Sequence, residues 1–115
     1  IYTIIIPRGN YKMYHVFVYV PTSHLELVKS AMFDAGAGKV SGYDYCCWQT
    51  KGLGQFRAGE TSNPFVGEKN KIHKEEEWKV EFVVEEKYIK NTIFAMKKAH
   101  PYEVVGYSVI KMEDF

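Results

Sequence analysis

A chain of 115 residues builds one folded domain and leaves too little for a second core. Its 15 Lys and Arg against 14 Asp and Glu leave a formal charge of +1, which supplies no field to draw DNA, RNA or an acidic membrane surface. The two cysteines, Cys46 and Cys47, are adjacent, so they form no useful staple within the chain and fit a reducing, cytoplasmic compartment.

Residues 1–12 do not join the pattern that begins at Met13. They read as an expression leader or an upstream start or, if ordered, as an extra edge strand, being mostly β-branched or aromatic. Ile4, Ile5 and Ile6 are far too few to span a bilayer, and the segment lacks the charged start and small-residue cleavage site of a secretory signal. The domain itself is expected over residues 13–115.

His15 to Val20 is a short β-rich apolar run closed by Pro21. Ser23 and Glu26 then have the spacing of a capping box, which predicts a helix start. Leu25, Val28, Ala31, Met32 and Ala35 form one apolar stripe, and Gly36 and Gly38 supply a permissive stop. Tyr43 to Thr50 reads as an edge strand with Asp44, Cys46 and Trp48 on one side and Tyr45, Cys47 and Gln49 on the other. That alternation keeps the two thiols from one metal, and no Cys-x-x-Cys or His-x-x-x-His spacing occurs.

Lys51 to Gly59 is glycine-rich and carries Lys51 and Arg57, without the Gly-Lys-Ser/Thr of a P-loop. Two readings stay open. Either the glycines supply positive φ for a hairpin that returns Gln55–Arg57 beside the Trp48 strand, or Gly52 and Gly54 let backbone amides approach an anion or a nucleotide. Glu75, Glu76 and Glu77 before Trp78 read as a solvated strand end, and His24 and His73 as surface residues. At the end of the second helix, Pro101 forbids continuation and holds His100 extended. His100 near Glu103 either caps the helix stop or binds a metal or carries a proton.

The second half repeats the first at the offset separating Gly106 from Gly42, which is 106 − 42 = 64. Val16 matches Val80, Val20 matches Val84, Leu25 matches Ile89, Ala31 matches Ala95, Met32 matches Met96, Ala35 matches Ala99 and Tyr43 matches Tyr107. Two βαβ halves predict an α+β, ferredoxin-like sandwich: an antiparallel sheet, two helices on one face, and a β-hairpin insertion. The first and third strands are expected at the centre. Val16, Val18, Val20, Val80, Phe82 and Val84 should face the helices, with Phe17, Tyr19 and Val83 on an uncovered side that invites association.

The motifs Val18-Tyr-Val-Pro21, Phe33-Asp-Ala-Gly-Ala-Gly38, Gly42-Tyr-Asp44, Gly52-Leu-Gly-Gln-Phe-Arg57, Asn63-Pro-Phe-Val-Gly67 and Ala99-His-Pro-Tyr-Glu103 stand in one order along the chain. Together they resemble the insert domain of bacterial YqfO-type proteins, of the NGG-one-interacting factor three group, an insert that also occurs as a standalone chain. The resemblance covers about Met13 to Ile110. It implies a PII-like and CutA-like sandwich assembling through its sheet, often as a trimer. Within that class PII proteins bind nucleotides and small effectors, and CutA-like proteins are associated with divalent metal tolerance. The dinuclear metal site of the full-length proteins belongs to a flanking domain. This chain departs from the pattern after Glu103, where Val104-Val-Gly-Tyr-Ser108 replaces Glu-Pro-Ala-Tyr-Asp, and at Cys46-Cys47-Trp48, which is bulkier than usual.

The resulting expectation is a non-enzymatic regulatory or binding module without a cofactor. It forms a homodimer or homotrimer, binds a small anionic ligand or a protein partner, and takes no nucleic acid or membrane. Its candidate ligand residues are Lys51, Gly52, Gly54, Arg57, Asn63, Gly67, His100, Tyr102 and Glu103. The alternative is a CutA-like divalent metal binder with His100 and Glu103 as ligands. An enzyme with His100 as general base lacks a nucleophile or second acid, and the RNP aromatics of an RRM are missing from the strands.

Overall fold

The computed structural model describes residues 12–113. The leader reading of residues 1–12 therefore falls, but for Lys12, outside the described residues. Strand β1 (Met13–Pro21) leads through a 3-10 turn into helix α1 (Leu25–Asp34), followed by β2 (Trp48–Arg57). The second half gives β3 (Ile72–Glu85), a second 3-10 turn, α2 (Ile89–Ala99) and β4 (Tyr107–Lys111). The four strands form one antiparallel sheet in the order β2-β3-β1-β4, which puts β1 and β3 in the centre. This is the expected ferredoxin-like α+β sandwich. No helix among the described residues is long and apolar enough to cross a membrane.

The core follows from strand alternation. Val16, Val18, Val20, Val80, Phe82 and Val84 are all fully buried, packed with Val28 and Met32 of α1 and Met96 of α2. Both helices thus cover the same face. Opposite it lies the face that no helix among the described residues covers, carrying Phe17, Tyr19, Trp48 and Ile110 by register. Val83 shares that side yet is buried, because Val40 and Cys46 of the α1–β2 connection pack on it with Met13. The expectation that Val83 lies bare is corrected accordingly.

The internal repeat is visible in the backbone. The 3-10 turns Thr22–His24 and Glu86–Tyr88 follow residues with matching angles, Pro21 at φ −65°, ψ 149° and Glu85 at φ −66°, ψ 147°. Helices then start at the paired residues Leu25 and Ile89. Beyond the helices the halves part: Gly36 (φ +113°) and Gly38 (φ +74°) end α1, whereas His100, extended before Pro101, ends α2. Tyr43 sits in a tight bridge with Val40 while its counterpart Tyr107 opens β4.

Three local expectations are corrected. The capping box does not form, since Ser23 lies inside the 3-10 turn with its hydroxyl 2.8 Å from His24 Nδ1, and Glu26 pairs with Lys29 at 3.0 Å. Strand β2 starts at Trp48 rather than Tyr43, because Tyr45 takes a left-handed φ of +54° that breaks the alternation. Cys46 and Cys47 still part company, the first packing on Val83 and the second on the main core. Finally, the glycine-rich segment does not turn back. Lys51 to Arg57 runs straight in β2, paired with β3 from Trp48↔Glu81 to Arg57↔Ile72, and Gly52 and Gly54 have no positive φ. Chain reversal falls to residues 58–71, and His73 lies in β3.

Candidate functional site

The loop after β2 and the turn after α2 meet over the end of β1. Between them opens a cleft of about 390 Å³. Tyr19 of β1, Phe56 and Arg57 of β2, Phe65 of the loop, Glu77 of β3 and Tyr102 of the turn line it. Ring contacts fix the closure. Phe65 stands edge-on to His24 at 5.4 Å and to Tyr102 at 6.3 Å, and Tyr102 packs on His100 at 4.9 Å. A polar link adds to these contacts, with the Asn63 N–H donating to Glu103 Oε1 at 3.0 Å.

His100 is the post behind this wall. It is 7% exposed; its Nε2 donates to the Tyr19 carbonyl at 2.7 Å, and its Nδ1 accepts the Tyr102 N–H at 3.1 Å. A carbonyl only accepts and a backbone N–H only donates, so the ring is held as the neutral tautomer with its proton on Nε2. Burial pushes its pKa below the ordinary value of 6.5, with the nearby His24 acting in the same direction and the Tyr19 hydrogen bond opposing. Both nitrogens are engaged in holding β1 to the turn. Neither has a lone pair or proton left for a metal or a relay in this arrangement. Among the described residues no three His, Cys, Asp or Glu side chains gather to hold a metal ion.

The three glutamates of β3 have separate settings. Glu75 pairs with His73 at 2.7 Å, and Glu76 accepts from Thr22 at 2.9 Å and pairs with Lys51 at 3.2 Å. Glu77 faces the cleft, its carboxylate lying where any side chain at Gly54 would have to be. Tyr102 carries a buried hydroxyl whose neighbour is the Glu77 carboxylate. Burial first, then the charge and hydrogen bonding of the Glu77 carboxylate beside it and the charge of Glu75, raise its pKa well above the usual phenol value.

Of the residues expected from sequence, Arg57, Tyr102 and Glu103 line the cleft, while Asn63 and His100 brace it. Lys51, Gly52 and Gly54 lie instead along a neighbouring depression of about 360 Å³, which shares Tyr19 and Glu77 with the cleft. Gly67, at φ +85°, packs against the His73 ring, outside both. Sequence reasoning did not single out Tyr19, Phe56 or Phe65 as ligand residues, and it read Glu77 as part of a solvated strand end. Phe65 had a signal, an aromatic side chain in a polar, glycine-bearing loop, but Glu77 is singled out only by the β2–β3 register.

No family model matches the chain. A GTP cyclohydrolase 1 type 2 homolog of Halalkalibacterium halodurans is 36% identical over 106 residues, which span 92% of this chain and 28% of that protein. A Bacillus cereus protein related to NIF3 superposes with a TM-score of 0.78 at 32% identity, covering 95% of this chain and 28% of the other. The CutA divalent cation tolerance protein of Archaeoglobus fulgidus gives 0.63 at 12% identity over 90% of this chain and 86% of its own. The Bacillus subtilis GlnK–ATP complex gives 0.60 at 12% over 88% and 82%. At such identities the last two speak for the fold alone. The chain is thus related by sequence to just over a quarter of the length of the NIF3-related proteins, and it has the PII-like, CutA-like fold.

Proposed function

We propose that this chain is a non-enzymatic, PII-like binding module whose cleft takes a small ligand bearing an acidic group. The carrying observation is Arg57, a cleft residue with no ion-pair partner among the described residues, set beside aromatic walls. Such a site, mostly apolar with a few convergent polar groups, is the usual form of a small-molecule pocket. The fold shared with GlnK, solved there with ATP, supports the reading. The matched segment is 28% of the relative whose name carries the cyclohydrolase, and the committed nitrogens of His100 argue against a general base. They argue equally against the metal alternative.

We further propose that copies of the chain associate through the open sheet face, where Tyr19, Trp48 and Ile110 are 40%, 52% and 51% exposed. Adjacent unbridged cysteines favour a cytoplasmic setting. A thermal-shift series with nucleotides, pyrophosphate and sulfate tests the ligand reading: a stabiliser should emerge whose effect is lost in Arg57→Ala. A flat series, with the untreated protein melting cooperatively, overturns it.

A further inference from the structure

The occupant's chemistry can be taken further, resting on the cleft reading above. Against the one guanidinium of Arg57 the cleft presents two carboxylates, Glu77 and Glu103, so a bare polyanion meets more negative than positive charge. Glu103 is already engaged by the Asn63 N–H at 3.0 Å. Glu77 has no ion-pair partner among the described residues, and it reaches its place only because position 54 has no side chain. Beside it is the buried hydroxyl of Tyr102, which a ligand in the cleft would compete with for one Glu77 oxygen. An ionised carboxylate only accepts hydrogen bonds, and it accepts two parallel N–H donors best. Phe56, Phe65 and Tyr102 add ring surface, and about 390 Å³ holds a heterocycle with an acidic substituent.

We infer that the cleft selects a planar heteroaromatic acid with two adjacent N–H donors on its ring edge, the guanine type of edge as opposed to the adenine type. Glu77 reads the donors and Arg57 takes the acid. An adenine edge offers one donor beside an acceptor lone pair, which Glu77 repels. Gly54 is a positioning residue. An added methyl there overlaps the flexible end of Glu77, which swings away while the strand stays paired.

Titration calorimetry with GMP, AMP and pyrophosphate tests this, using the wild-type chain, Glu77→Gln and Gly54→Ala, each first shown to melt cooperatively. GMP is expected to bind about tenfold more tightly than AMP, the scale of one charged hydrogen-bonding contact. Both substitutions should erase that preference, by weakening GMP and by relieving the repulsion that the Glu77 carboxylate sets against AMP. Equal binding of GMP and AMP, or pyrophosphate binding as tightly as GMP, overturns the donor-edge inference and leaves the acid site at Arg57 standing. No binding by any of the three overturns both.

Discussion

His100 shows how one side chain can be chemically eye-catching and structurally employed. Its ring joins the Tyr19 carbonyl to the Tyr102 N–H, so His100→Ala leaves two part-buried backbone groups unpaired and should cost about 1–3 kcal/mol, read as a lower denaturation midpoint. Its depressed pKa has a definite sign. The folded state binds fewer protons than the unfolded chain below pH 6.5, so His100 contributes its full share of stability above that value. The share is lost as pH falls through the folded pKa. Denaturant melts between pH 7 and 5 should show a smaller acid-induced loss in His100→Ala than in the wild type; parallel curves would contradict the assignment. The histidine was legible from sequence as a fixed imidazole beside a proline. Its partners were not, since Tyr19 lies far along the chain and is brought there by the β1–turn packing. Glu77 was hidden for a related reason, as its setting depends on which β2 residue crosses beneath it.

Among the elements, the strand–helix pairs were readable because valines alternate along β1 and β3 and the helix stripes recur at the helical period. The glycine-rich part of β2 was not, for residues without side chains show no alternation, and its straight course is set by pairing with the longer β3. Helix α1 starts later than its apparent cap because a 3-10 turn intervenes after Pro21, as after Glu85. The α1 stop gives a sharp test. Gly36 combines a φ of +113° with a position where a methyl would overlap the Tyr88 ring, whereas Gly42, at φ +85°, has open space around it. Gly42→Ala should cost about 1–2 kcal/mol for the left-handed backbone alone, and Gly36→Ala more, as Tyr88 must also move. Chemical denaturation of the two variants measures the difference; equal losses would mean Tyr88 yields freely.

Among the described residues, helices cover one side of the sheet, while the other carries only the α1–β2 connection over Val83. A bare face carrying Phe17, Tyr19, Trp48 and Ile110 favours self-association. Sedimentation should find a homo-oligomer for the wild type, and Phe17→Asp with Ile110→Asp should reduce it to monomer with the melting transition retained. A monomeric wild type would sink this proposal. The repeat announced two layers in the sequence, and the cleft, which borders the bare face at Tyr19, could not be foreseen because it forms where the two halves stop being alike.

Gly54 carries a last consequence. It lies along a neighbouring furrow, yet its missing methyl decides where a carboxylate two strand positions away comes to rest. On the proposed ligand reading, a single codon change there would retune what the cleft recognises while every wall residue kept its identity. Relatives with identical cleft walls can therefore differ in taste, and position 54 is where to look for the reason.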